Sequence, residues 1–191
     1  MENYTYGIDV SRWQGAIIDW DKVKNAGKSF VIIKVTEGLS YKMPFIEIAI
    51  QQAIQSKAAG FKIGYYHYAH PVGENIESNA ASEASYFLNT LQRFPKSDFP
   101  LVLDLEDEEM KLLPDETVKW ISSFQLTINK SGFELMLYGN KGFLDEHLPL
   151  KHSLGNIPLW IAYYPKKFDI NQLPSLANGW NSFAIWQYSE V

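Results

Sequence analysis

The chain has 191 residues, enough for one substantial core and short for two. A hydrophobic share of 46% with 15% aromatics describes a globular protein and not a disordered one. A formal net charge of −5 without any Lys/Arg cluster argues against a nucleic-acid partner, no run approaches the length of a membrane span, and the absence of Cys excludes disulfides and thiolate chemistry.

The opening Met1-Glu2-Asn3-Tyr4-Thr5-Tyr6 has neither the basic start nor the apolar stretch of a signal peptide, so cytoplasmic synthesis is expected. Tyr6–Val10 reads as a first short strand. Asp19 caps a short helix through Val23 and Ala26, which Gly27 ends. Phe30–Val35 is almost wholly β-branched and reads as a strand buried on both faces. Pro44 suits the first turn of a helix that runs through Ile50 and Ile54 to Gly60.

Lys62–Tyr68 is the third strand, followed by a helix from about Ala80 to Leu91 with Ala84, Phe87, Leu88 and Leu91 on one stripe. A strand at Leu101–Leu105 precedes a helix opened by Pro114 and closed at Gly132. Glu134–Tyr138 is the fifth strand. Beyond it the helical signal thins, and Pro158–Tyr163 and Phe183–Tyr188 are strand-like segments joined by loops.

Alternating strands and helices without a linker imply one α/β domain over residues 1–191 with a mainly parallel sheet. No Gly-rich phosphate loop follows the first strand, which disfavours a nucleotide-binding open sheet. Strand after strand ends in a polar or aromatic residue: Asp9, Glu37, Tyr66/His67, Glu106, Tyr138 and Trp160. In a β/α barrel those ends form the mouth that carries the site. A TIM-like barrel is therefore the expected fold.

The sharpest feature is Leu101-Val102-Leu103-Asp104-Leu105-Glu106. Alternation puts Asp104 and Glu106 on the face of Val102. Two buried neighbouring acids disfavour each other's charge, a cost that chains tolerate where one carboxyl must stay protonated beside an ionised one. Acid-assisted glycoside cleavage uses that arrangement. Two strand rises separate the two Cα atoms by about 6.6 Å, which leaves inversion and retention both open.

Gly7-Ile8-Asp9-Val10-Ser11-Arg12-Trp13-Gln14-Gly15 and Ile32-Ile33-Lys34-Val35-Thr36-Glu37-Gly38 resemble the N-terminal signature of glycoside hydrolase family 25. Gly64–Ala69, Val102–Glu106, Leu159–Ala162 and Ile185–Tyr188 match further blocks in the same order. The resemblance implies a modified β/α barrel, with five β/α units followed by strands that have few helices. It also implies cofactor-free and metal-free cleavage of the β-1,4 bond between N-acetylmuramic acid and N-acetylglucosamine in peptidoglycan. Members usually continue into a final strand with another Asp. This chain stops at Ser189-Glu190-Val191, so that strand is expected to be missing, and nothing in the sequence places Glu190 in its stead.

By this resemblance Glu106 is the general acid. Asp104 orients the substrate's 2-acetamido group, or else Asp104 or Asp9 serves as base on a water; Asp9 lines the same pocket as a third catalytic candidate, its charge keeping Glu106 protonated. Glu37, Tyr66, Tyr138 and Trp160 are candidate substrate-binding residues. Asp107, Glu108 and Glu109 read as a solvated loop in preference to a divalent-metal cluster. His67 reads as a structural histidine, and His70, His147 and His152 lack zinc-ligand spacing. Trp13, Trp120 and Trp186 could line a groove or fill the core.

The expected partner is the peptidoglycan glycan strand, met by a monomer after release through a pore-forming holin. Neither membrane insertion nor a nucleic-acid partner is expected. Two rival readings stay open: a catalytically impaired glycan-binding domain of the same fold, and a divalent-metal-dependent barrel enzyme.

Overall fold

A computed structural model describes residues 4–190; the first three positions of the leader reading and Val191 lie outside the described residues. Seven strands form one parallel sheet in chain order: β1 (Tyr6–Val10), β2 (Lys28–Glu37), β3 (Lys62–Tyr68), β4 (Leu101–Asp104), β5 (Leu135–Asn140), β6 (Leu159–Ala162) and β7 (Ile185–Gln187). The helices are α1 (Trp20–Asn25), α2 (Met43–Ala58), α3 (Ile76–Leu91), α4 (Pro114–Lys130) and α5 (Lys141–His147). Five β/α units are thus followed by two strands whose connection carries no α-helix.

The sheet curls far enough for side chains to bridge its two edges. No backbone ladder joins β7 to β1 among the described residues, but side chains span the seam. Gln187 Nε2 donates to Asp9 Oδ2 at 2.9 Å, and Lys28 Nζ donates to the Tyr188 hydroxyl at 2.9 Å. This curled half-barrel of seven parallel strands, bridged between β7 and β1 by polar side chains, is the TIM-like fold the resemblance implies.

Strand alternation divides the core in two. Val31, Ile33, Val35, Leu101, Leu103, Leu105, Leu135 and Leu137 face the helices and pack with Phe87, Trp120, Ile121 and Phe124. Ile32, Val102, Met136, Tyr138, Trp160 and Ala162 fill the inside of the curl. Each such side chain removed from water contributes about 1.5–3 kcal/mol. Gly7 matters to the inner layer, because a Cβ there would lie 2.4 Å from the Phe30 ring that plugs the floor. The floor is sealed by aromatic rings, with Phe30 and Phe99 centroids 5.4 Å apart, so the cavity opens at the carboxyl ends of the strands.

Both β2 and β5 extend two residues beyond their expected ends, and α5 was not anticipated. Asn140 caps α5 by accepting from the Phe143 N–H at 2.8 Å, but the helix has seven residues, includes Gly142 and buries only Leu144. So short a segment leaves no apolar stripe to read.

Candidate active site

β4 delivers the acid pair. Val102 and Asp104 point inward, Leu105 points to the helices, and Glu106 returns to the cavity just beyond the strand. The Leu105 N–H still donates to Tyr138 O at 3.1 Å and the Ala69 N–H to Asp104 O at 2.9 Å, so strand-like bonding holds the alternation past the formal end of β4. The cavity has a volume of about 370 Å³. Asp9 enters it from β1, Tyr66 from β3, Tyr138 and Asn140 from β5, and Trp160 and Ala162 from β6. Of the residues proposed from the sequence, Asp9, Asp104, Glu106, Tyr66, Tyr138 and Trp160 therefore meet in one place.

The pocket is acidic. Asp104 is 5% exposed and its Oδ1 has no hydrogen-bond partner. Burial, followed by the charge of Glu106, pushes its carboxyl well above the ordinary carboxylate range. Burial also raises Glu106, against the opposing pull of Lys34 and of a hydrogen bond from Tyr138. Asp9 is raised by burial too, with the Gln187 amide acting against it. Burial thus favours the neutral form of all three carboxyls beyond the range of free ones.

This has a measurable consequence for stability. A carboxyl whose folded pKa is raised binds protons more tightly in the native than in the unfolded chain. Its contribution is complete below the unfolded pKa and is lost as pH rises through the folded one. Asp104→Asn cannot ionise, so it should be more stable than the parent at pH 7, by about 1.4 kcal/mol for each pKa unit removed. The gain should shrink near pH 4. Urea melts at the two pH values check this, and an Asn variant less stable at both would contradict it.

Glu37 lies beside the cavity and does not line it. It pairs with Lys34 at 2.7 Å, and His70 Nε2 reaches it at 3.3 Å. The His70 ring also bonds Asp107 Oδ2 through Nδ1 at 2.7 Å. Gly38 sits at φ +48, and a Cβ there would press on the His70 ring at 2.9 Å. Asp107 corrects the expectation of a wholly solvated acidic loop: it is buried, held by His70, and accepts from the Glu109 N–H at 3.0 Å. Only Glu108 and Glu109 of that run are exposed.

His67 points away from the cavity, into the helix layer, with no exposed surface. Its Nε2 bonds Glu83 Oε2 and its Nδ1 bonds Thr36 Oγ1, both at 2.8 Å, which leaves no ring nitrogen for chemistry. Trp120 is core, stacked on Phe124 with its N–H given to Asn79. Trp186 packs outward and donates to Tyr163 O. Among the described residues no group of three or more His, Cys, Asp or Glu is arranged to hold a metal ion, and no helix is long and apolar enough to cross a membrane.

Sequence reasoning missed five lining residues: Asn140, Ala162, Tyr164, Gln187 and Glu190. Gln187 accepts from the Tyr138 and Tyr164 hydroxyls at 2.8 and 2.6 Å while donating to Asp9, so one amide organises three pocket groups. It stands inside the Ile185–Tyr188 segment that resembles the family, and its inward-facing position there was the available signal.

Comparison with known proteins agrees with this geometry. The profile described as Glycosyl hydrolases family 25 matches residues 8–191. Uncharacterized protein YegX of Escherichia coli K12 is 33% identical, over 98% of this chain and 64% of its own length. Lysozyme M1 of Streptomyces globisporus is 29% identical, over 96% of this chain and 61% of its own. The chain therefore spans less than two thirds of the length of these curated relatives. The muramidase structure from Acremonium alcalophilum superposes with a TM-score of 0.79 at 26% identity, covering 98% of this chain and 88% of that one.

Proposed function

This chain belongs to the glycosyl hydrolases of family 25, and from that premise we propose that its pocket cleaves the β-1,4 bond between N-acetylmuramic acid and N-acetylglucosamine in peptidoglycan. The observation that carries the reading is the pair Asp104 and Glu106, both raised by burial, facing one sugar-sized cavity. Residues 1–191 serve as one catalytic muramidase domain. It acts as a monomer on the wall after release through a pore-forming holin.

The mechanism follows from where the proton goes. In the free pocket burial favours the neutral form of Asp104 most strongly. A substrate acetamido N–H donated to Asp104 stabilises its carboxylate and sends its proton to Glu106. Glu106 then protonates the glycosidic oxygen as the C–O bond breaks, and the polarised acetamido oxygen closes on the anomeric carbon. Water reopens that ring, giving its proton to Glu106, and the anomeric configuration is retained. Asp9 keeps the pocket's charge negative beside a developing oxocarbenium ion, and Tyr66, Tyr138 and Trp160 contact the sugar.

Loss of turbidity of a cell-wall suspension, unaffected by a chelator, is the expected assay result. Binding without clearing would favour the impaired glycan-binding reading, and loss on chelation a metal enzyme. Proton NMR of the first-formed product should show the β anomer; an initial α anomer would replace acetamido assistance by direct attack of water.

A further inference from the structure

On one side of the mouth the lining changes character. Beyond Asp9, β1 runs into a 3-10 turn at Arg12–Gln14 that places Trp13 in solvent at 80% exposure. A mobile loop would make an exposed indole unremarkable, but this turn is rigidly built. Ser11 and Gln14 cap one another, with the Ser11 N–H donating to Gln14 Oε1 at 2.8 Å. The buried Gln52 amide of α2 donates to Ser11 O and Gly15 O, both at 2.8 Å, and so clamps the turn at both ends.

Arg12 lies over aromatic rings and not against an acid. Its guanidinium carbon is 4.6 Å from the Trp13 ring centroid, 4.4 Å from Phe45 and 5.9 Å from Tyr41. Lys34 and His70, on the same side of the mouth, are committed to Glu37 and Asp107, whereas no carboxylate among the described residues pairs with Arg12. The Tyr41 ring lies within cation–π range of both Lys34 and Arg12, so the cationic, aromatic ridge runs from the flank of the acidic pocket out to Trp13. A guanidinium fork held by rings and free of acid partners is preorganised for an incoming carboxylate, and the fixed indole offers an apolar wall beside it.

We propose that Arg12 and Trp13 bind the acidic stem peptide that muramic acid carries on its lactyl group, so that the domain selects peptide-bearing glycan over bare glycan. The proposal rests on the peptidoglycan reading. It also explains the separation of charge: neutral sugars enter a pocket whose carboxylates repel anions, and the strand's own carboxylates are received outside it.

The test is binding by calorimetry in the Glu106→Gln background, using soluble glycan strands that carry stem peptides and the same strands stripped by an amidase, with the lactyl carboxylate that this leaves capped as its methylamide. Peptide-bearing strands should bind about 10-fold tighter than stripped ones, consistent with one charge-assisted fork. Arg12→Gln and Trp13→Ala should each bring that ratio to about 2, and Arg12→Lys should fall between. Because the readout is a ratio within each variant, a general loss of fold cannot imitate it. A parent ratio near 1, a ratio unmoved by Arg12→Gln, or competition by a glycerol-phosphate polymer but not by free stem peptide would each overturn the proposal. Turbidity clearing by the parent separately tests the hydrolase reading, so failure of either is visible apart from the other.

Discussion

Glu106→Gln should lower kcat for wall hydrolysis by about 10²–10⁴-fold, the usual worth of a positioned general acid. The amide keeps the shape, but it has no acidic proton to give the leaving oxygen. Affinity for the glycan strand should change little, because the lost interaction belongs to the transition state. Asp104→Asn should also be strongly impaired, since an amide cannot offer the negative charge that polarises the substrate acetamido group. The double variant should be scarcely worse than either single one, because the two carboxyls act as a unit. Turnover of Glu106→Gln within twofold of the parent would remove Glu106 from the chemistry.

That prediction could be framed from the sequence because the acid pair is a local feature. Alternation along one short apolar strand sets Val102, Asp104 and Glu106 to one side, and the structure keeps that order even where the ladder stops. The same logic placed Asp9, Tyr66, Tyr138 and Trp160 at strand ends that a parallel curl gathers at one mouth. What stayed illegible depends on distant partners. The contact between His70 and Asp107 spans 37 positions and exists only because two turns after different strands meet. The Gln187 contact with Asp9 spans 178 positions and depends on how far the sheet curls. The fates of Trp13, Trp120 and Trp186 were equally hidden, since a ring's identity does not say whether its element is a rim turn, a helix face or the outside of the last strand.

The second large effect is expected away from the pocket, at Glu83. This carboxylate is 1% exposed, yet one oxygen receives the His67 Nε2–H at 2.8 Å and the His70 backbone N–H at 3.1 Å. Burial lowers the pKa of His67, so the ring is neutral near pH 7, with its proton on Nε2 facing Glu83 and Nδ1 accepting from Thr36. Glu83→Leu would strand these two donors at about 1–3 kcal/mol each, a total of about 2–6 kcal/mol. Glu83→Gln retains an accepting oxygen and should cost less than half as much. Urea unfolding of both variants checks the order; equal losses would mean that the charge of Glu83, and not its accepting oxygen, holds β3 to α3.

The sign of the pH effect follows from the lowered His67. The unfolded chain takes up the proton first as pH falls, so this histidine's contribution is complete above about 6.5 and is lost on acidification towards its folded pKa. A His67→Phe variant should therefore show a shallower loss of stability between pH 7 and 5 than the parent, at the cost of the Glu83 and Thr36 bonds. Since the His70 N–H hangs on the same Glu83 oxygen, and the His70 ring holds Glu37 and Asp107, weakening this buried contact should also loosen the rim beside the acid pair.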